Sequence, residues 1–232
     1  MNVIAIIQAR LASTRLPRKV LAPICGKPMV QHVLERAGAI AGVDRVVLAV
    51  PASELHEWSR LDRACTGRYL FSYGGPAEDV LGRFAHAARA NAADVIVRLT
   101  ADCPLICPEV CAAVLDILLS DGVEYATNDT RWTGWPDGLD CQAFTRHMLE
   151  RADVNATSAH DREHVCAWME GRENPQPLCY IRDRQGWAGP KLSVDSAEDL
   201  ERVRRIMARI PAGDYSWEAL RGAVNAELPA VV

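Results

Sequence analysis

The sequence predicts an α/β fold with a mostly parallel central sheet flanked by helices, and three observations carry that expectation. Short apolar runs alternate with stretches of helical periodicity along the chain. Several runs are apolar at consecutive positions, as in strands covered on both faces. With 232 residues, 49% of them apolar, the chain is long enough to bury such a core.

Residues 3–7, 45–50, 94–99 and 124–127 read as inner strands, and 69–73 as a weaker strand between the second and third. Helical periodicity over 29–39, 79–91 and 109–118 supplies the crossovers that parallel strands require. Later strands are expected at 141–144 and 178–182, and later helices at 162–169 and 197–210. The stretch 130–138 reads as a loop carrying Trp132 and Trp135, suited to a lid or a dimer contact, and 225–232 reads as a loose tail.

A net charge of −4 argues against wholesale nucleic-acid binding, which calls for a basic stripe. No apolar run approaches membrane-spanning length, and Met1 leads directly into a strand-like VIAII, so a soluble, cytoplasmic protein is expected. Eight scattered cysteines read as buried free thiols rather than a disulfide framework. Cys103, Cys107 and Cys111 are interrupted by prolines and have no zinc spacing, so packing accounts for them.

Three constellations carry chemistry. In IIQARLASTRLPRKV, residues 6–20, the end of an apolar strand runs into Arg10, Ser13, Arg15, Arg18 and Lys19. Neither a P-loop nor a G-x-G-x-x-G is present, so an anion would be met by guanidinium forks, a hydroxyl and an ammonium. The alternative is a solvated basic loop. Asp102 and Asp195 each follow an apolar run, where strand-end carboxylates suit Mg²⁺ held jointly with phosphate; helix capping is the alternative, above all for Asp195. HDREH, residues 160–164, matches the H-x-x-E-H spelling of an inverted zinc peptidase, but nothing in the sequence places a further ligand, and a polar helix face is the simpler account.

Taken together, QARLASTRLPRKVLAPICGKPMVQHVLERA, GGPAEDVLGRF, VRLTADCPLI, NDTRWTGWPDGLD, DREHV and LSVDSAEDLERVR cover nearly the whole chain in order. They resemble the cytidylyltransferases that activate 3-deoxy-manno-octulosonate, and still more the spore coat polysaccharide F-type branch of that family. The resemblance implies a single Rossmann-like, GT-A-like nucleotidyltransferase domain over 1–232, with 130–170 on the acceptor side and available for dimerisation. It further implies a homodimer that uses CTP and Mg²⁺, in which an acceptor oxygen attacks the α-phosphorus and pyrophosphate leaves. By position, Arg10, Arg15 and Lys19 would grip the triphosphate with Ser13, and Asp102 and Asp195 would hold the metal. Arg18, Glu78, Asp79, Arg83 and Arg98 would lie on the nucleotide side.

The family pattern has GST and LPGK where this chain has AST and LPRK, so Ala12 and Arg18 stand in place of glycines and the loop's backbone freedom is reduced. On the acceptor side the chain offers Asn128, Arg131, Asp137, Asp140, His160, Arg162 and His164. Arg18, Arg131 and Arg162 suit a small phosphonate such as phosphonoformate, which is the acceptor expected; a ulosonic or nonulosonic sugar acid is the alternative. A nucleotide-binding relative without turnover is a third reading. Ala12 speaks for it, and Lys19, Asp102 and Asp195 speak against it.

Overall fold

In the computed structural model of the chain, residues 1–64, 69–120, 122–171, 178–180 and 189–227 are described. The first half runs β1 (Val3–Gln8), β2 (Pro23–Ile24), β3 (Lys27–Pro28), α1 (Met29–Ala37), β4 (Arg45–Val50), α2 (Leu55–Ala64), β5 (Leu70–Tyr73), α3 (Val80–Ala90) and β6 (Val95–Thr100). The second continues with α4 (Pro108–Ser120), β7 (Tyr125–Thr127), α5 (Thr130–Thr133), β8 (Gln142–Thr145), α6 (Arg146–Asn155), α7 (Ala159–Glu163), α8 (Ala167–Glu170), β9 (Leu178–Tyr180), α9 (Ala197–Met207) and α10 (Trp217–Glu227).

Seven strands form one sheet in the order β5-β4-β1-β6-β8-β7-β9. β1 pairs in parallel with β4 and β6, as the consecutive apolar residues of both runs require. β8 enters antiparallel between β6 and β7, with Gln142 opposite Arg98. Alternate residues of β1 serve opposite cores: Val3, Ala5 and Ile7 pack with α1 and α4, whereas Ile4 and Ile6 pack with α3 and α6. A third cluster joins α9 and α10 to Leu105, Leu139 and Leu192.

This order decides where a ligand can sit. The chain leaves β1 toward β4 and β5 on one side, then returns to β6 on the other. The loops after β1 and β6 therefore part at their carboxyl ends and open a crevice at the switch point. Arg10–Lys19 and Asp102 lie on those two loops.

Several expectations change. The single helix over 162–169 is two short helices, because Ser158 caps α7 and His164 leaves helical geometry at its end. Within 130–138 a one-turn helix, α5, is capped by Asp129 and stopped by Gly134 at φ 84°. Trp135 packs edge-on against Trp217, with ring centroids 5.3 Å apart. The side chain of Trp132 lies outside what is described. The tail begins later than expected, since Asn225–Glu227 complete α10 and Glu227 pairs with Arg205 and Arg209. Residues 181–182 and 228–232 lie outside the described residues. Among the described residues no helix is long and apolar enough to cross a membrane.

Candidate active site

The loop after β1 is closed on itself by Arg18 N–H donating to the Leu11 carbonyl (3.1 Å). Closure places Arg18 at φ 56°, ψ 27°, in the left-handed region, at one of the two positions where the family pattern has glycine. Glu54 holds the other end, accepting from the amides of Leu11 (2.9 and 3.0 Å) and Ala12 (3.4 Å) while Trp58 Nε1 donates to it (2.8 Å).

From this loop Lys19 reaches the far wall. Its Nζ donates to Asp102 Oδ2 (2.8 Å), Asp195 Oδ1 (2.9 Å) and the Val194 carbonyl (2.8 Å). Burial would push this ammonium's pKa down, but the two carboxylates outweigh it and hold the pKa above the ordinary lysine value. Asp195 is fixed in turn. Lys191 Nζ bonds its other oxygen (2.7 Å), and Asp199, in the capping box that starts α9, accepts the Asp195 amide (3.0 Å). Burial raises the Asp195 carboxyl, yet Lys191 and Lys19 leave it below the usual carboxylate range.

Two cavities meet at this point. One, of about 600 Å³, is lined by Gln8, Arg10, Ser13, Arg15, Lys19, Arg83, Glu163 and His164. The other, of about 470 Å³, is lined by Cys103, Asp129, Arg131, Asp137, Asp140, Gln142 and Ser193. Arg98, Thr100, Asp102 and Asp195 line both. In the first cavity cations outnumber carboxylates, and in the second the balance is reversed. An anionic chamber thus adjoins a cationic one, with the Lys19–Asp102–Asp195 cluster between them.

The loop cations carry carboxylate partners: Arg10 with Glu163 (3.6 Å), Arg15 with Asp195 (2.9 Å), Arg18 with Glu57 (2.8 Å). Arg18 is exposed on the outer side of the loop and lines neither cavity, and Glu78 is exposed likewise. Asp79 caps α3 through the Gly82 amide (3.0 Å) and binds Arg162 (2.7 Å), which also reaches Asp153 (3.1 Å). Burial raises the Asp79 carboxyl, but Arg162 and the Gly82 amide bring it below its ordinary value. Asn128 is fully buried and spends its amide on the Leu139 carbonyl (2.8 Å) and the Cys141 amide (2.7 Å), joining backbone rather than facing a cavity. Arg131 is clamped by Asp129 (2.7 Å) and Glu170 (2.8 Å). The three guanidinium forks expected to meet a phosphonate are all ion-paired.

His160 and His164 lie close, with ring centroids 4.6 Å apart, but Glu163 turns to Arg10. Among the described residues no group of three or more His, Cys, Asp or Glu side chains could hold a metal, so HDREH lacks a zinc ligand set. The same finding limits Asp102 and Asp195 to two protein ligands, the number Mg²⁺ takes where phosphates and water complete its shell. That both carboxylates already grip one cation, the Lys19 ammonium, is the observation that fits them to this use. Five of the cysteines are buried and free, and burial pushes the Cys166 thiol up to about 12.

The family model described as Cytidylyltransferase matches residues 4–187. This chain belongs to the cytidylyltransferase family. A 3-deoxy-manno-octulosonate cytidylyltransferase of Anaeromyxobacter dehalogenans is 39% identical over 245 residues, spanning 89% of this chain and 98% of that protein. The spore coat polysaccharide biosynthesis protein SpsF of Bacillus subtilis is 26% identical over 210 residues, spanning 88% and 86%. A solved cytidylyltransferase from Leptospira borgpetersenii superposes with a TM-score of 0.88 at 26% identity, covering 97% of this chain and 94% of that one. The cytidylyltransferase is thus a nucleotidyltransferase enzyme with the α/β architecture expected. Glu54, Thr100, Gln142 and Ser193 are site residues that motif reasoning did not single out, and Glu54, Gln142 and Ser193 bond partners distant in sequence.

Proposed function

We propose that this cytidylyltransferase transfers CMP from CTP to a hydroxyl of a sugar acid of the ulosonic or nonulosonic type, releasing pyrophosphate in a Mg²⁺-dependent reaction. The observation that carries the reading is the junction itself, where Lys19, Asp102 and Asp195 stand between a cationic and a carboxylate-rich cavity. The first cavity suits the triphosphate. Arg10, Arg15 and Lys19 supply charge-assisted bonds, and Ser13 a hydroxyl. The second cavity, with Asp129, Asp137, Asp140, Gln142 and Ser193, offers acceptors for many hydroxyl donors. That chemistry suits a polyhydroxylated acceptor better than a small phosphonate.

The acceptor hydroxyl oxygen bonds to the α-phosphorus as the bond to the pyrophosphate oxygen breaks, and the hydroxyl proton passes to solvent. The cationic loop stabilises charge developing on the leaving group, and the rigid β6 end holds the two substrates in line. Asp102 and Asp195 would hold Mg²⁺, which supplies neutralisation of phosphate charge when bound.

The test is pyrophosphate release from CTP and Mg²⁺ with 3-deoxy-manno-octulosonate, a nonulosonic acid, phosphonoformate and aminoethylphosphonate. Release with a sugar acid is expected. Release with a phosphonate alone would reverse the acceptor reading, and CTP binding without release from any acceptor would make the protein a nucleotide binder.

A further inference from the structure

Arg98 differs from the other arginines of the two cavities. It stands within β6 on the same strand face as Thr100, and it lines both chambers together with Thr100 and with Asp102 of the loop that follows. Its Nη1 donates to Gln142 Oε1 (2.6 Å) and its Nη2 to Gln8 Oε1 (3.1 Å), while its Nε is buried with no partner. Both partners are neutral amides, so they fix the guanidinium plane without neutralising it. Gln142 is itself only 4% exposed and is the cross-strand neighbour of Arg98. Arg10, Arg15 and Arg131 are ion-paired to carboxylates. Arg83 also lacks a carboxylate bond, but it gives its Nη atoms to the Pro76 and Ala77 carbonyls and lines the first cavity alone.

Arg98 is half-buried, and a guanidinium held by neutral amides at the wall of a cavity keeps hydrogen-bond donors and charge for an anion of the ligand. Asp129, a carboxylate of the same cavity, is gripped by Arg131 through both oxygens. The triphosphate has the cations of the loop. The remaining anion is on the acceptor.

We infer that Arg98 is the specificity-determining residue that receives the carboxylate of the acceptor, selecting acids over neutral sugars. Two of its five N–H donors are engaged by the glutamines, which leaves one further N–H on each Nη nitrogen for the two oxygens of a carboxylate. The inference rests on the sugar-acid reading above.

The experiment compares wild type, Arg98→Met and Arg98→Lys in pyrophosphate release, with 3-deoxy-manno-octulosonate and its neutral methyl ester as acceptors, and with thermal melting as the fold control. Arg98→Met is expected to raise the acceptor KM by about 10- to 100-fold, the loss of a charge-assisted bond, with the CTP KM within about twofold of wild type. Arg98→Lys is expected to recover part of that loss. Wild type is expected to prefer acid over ester by a similar factor, and Arg98→Met to lose the preference. The acid-versus-ester comparison in wild type needs no variant to fold, and equal use of both overturns the inference. So does a rise in CTP KM with the acceptor KM unchanged. Absence of release by wild type from every sugar acid overturns the function reading and this inference together, whereas turnover by wild type with an unaltered acceptor KM in Arg98→Met overturns this inference alone.

Discussion

The ammonium of Lys19 lies 2.8 Å from Asp102 Oδ2, and the same nitrogen lies 2.9 Å from Asp195 Oδ1, so one tethered cation bridges the pair of carboxylates proposed to bind a divalent ion. On the proposed reading, metal and lysine would compete for the same oxygens, and a triphosphate would offer Lys19 another partner and so release the aspartates.

Removing the ammonium should therefore open the pair to metal. Lys19→Met is expected to bind Mn²⁺ in the absence of nucleotide roughly tenfold or more tightly than wild type, measured by electron paramagnetic resonance of free Mn²⁺. Its turnover should fall, since the cation that meets the phosphates is gone. Weaker or unchanged Mn²⁺ binding would mean that Lys19 organises the aspartates rather than occupying their site.

The left-handed geometry of Arg18 predicts an asymmetric response to substitution. An L-residue there costs about 1–2 kcal/mol, and Arg18→Gly removes that cost while adding about 0.5–1 kcal/mol of backbone entropy and losing an exposed ion pair of little value. Urea unfolding should place Arg18→Gly within about 1 kcal/mol of wild type. Arg18→Ile, β-branched at positive φ, should lose about 1 kcal/mol or more. Equal losses for both would show that the side chain, not the backbone, sets the cost.

Gly82 sits where a side chain would break a junction. A Cβ there would come within 2.3 Å of Asp79 Oδ2 and 2.8 Å of Arg162 Nη2. Gly82→Ala is expected to cost about 1–2 kcal/mol by disturbing the α3 cap and the ion pair that tethers α7. Because α7 carries Glu163 and leads into His164, CTP affinity should shift as well. Wild-type stability by urea unfolding would exclude this coupling.

Asp199 predicts the acid limb of stability. Burial alone would raise its carboxyl, but Lys191 and the Asp195 and Ser196 amides hold it well below the ordinary value. The folded state therefore binds fewer protons than the unfolded chain, whose aspartates titrate near about 3.9. This contribution is complete above about pH 4 and drains away as pH falls toward the folded value. Asp199→Asn should lower stability by about 1–2 kcal/mol at pH 7 and flatten the urea midpoint's fall between about pH 4 and pH 2. Parallel curves for the two proteins would assign the acid limb to other carboxylates.

The sheet was legible because consecutive buried residues, such as those of β1 and β4, leave an unmistakable pattern. α2, α6 and α10 were not anticipated. α6 reads RHMLERADVN, with only Met148, Leu149 and Ala152 buried, so its apolar stripe is too narrow to announce a helix. In the site, Arg10, Ser13, Arg15, Lys19, Arg83, Arg98, Asp102 and Asp195 do gather at one cavity, Arg131 and Asp140 line its neighbour, and His164, expected on the acceptor side, lines the first cavity instead. Arg162 and Asn128 misled, because charge and amide groups beside a motif look alike in sequence whether they face a ligand or join two segments. Glu54, 42 residues from Ala12, shows the limit: contacts set by sheet order leave no local trace.

Gly138, at φ 103°, lies so close to the chain that a Cβ would stand 2.4 Å from the Ser193 amide nitrogen, and Leu192 N donates to the Asp137 carbonyl at 2.6 Å. The segment bearing Asp137 and Asp140 is thereby welded to the segment bearing Ser193 and Asp195. For anyone re-engineering the enzyme toward a new acceptor, these two stretches are one exchangeable cassette. A transplanted 134–140 loop that arrives without its matching 190–195 partner would shift Asp195 and, through it, the Lys19–Asp102–Asp195 cluster.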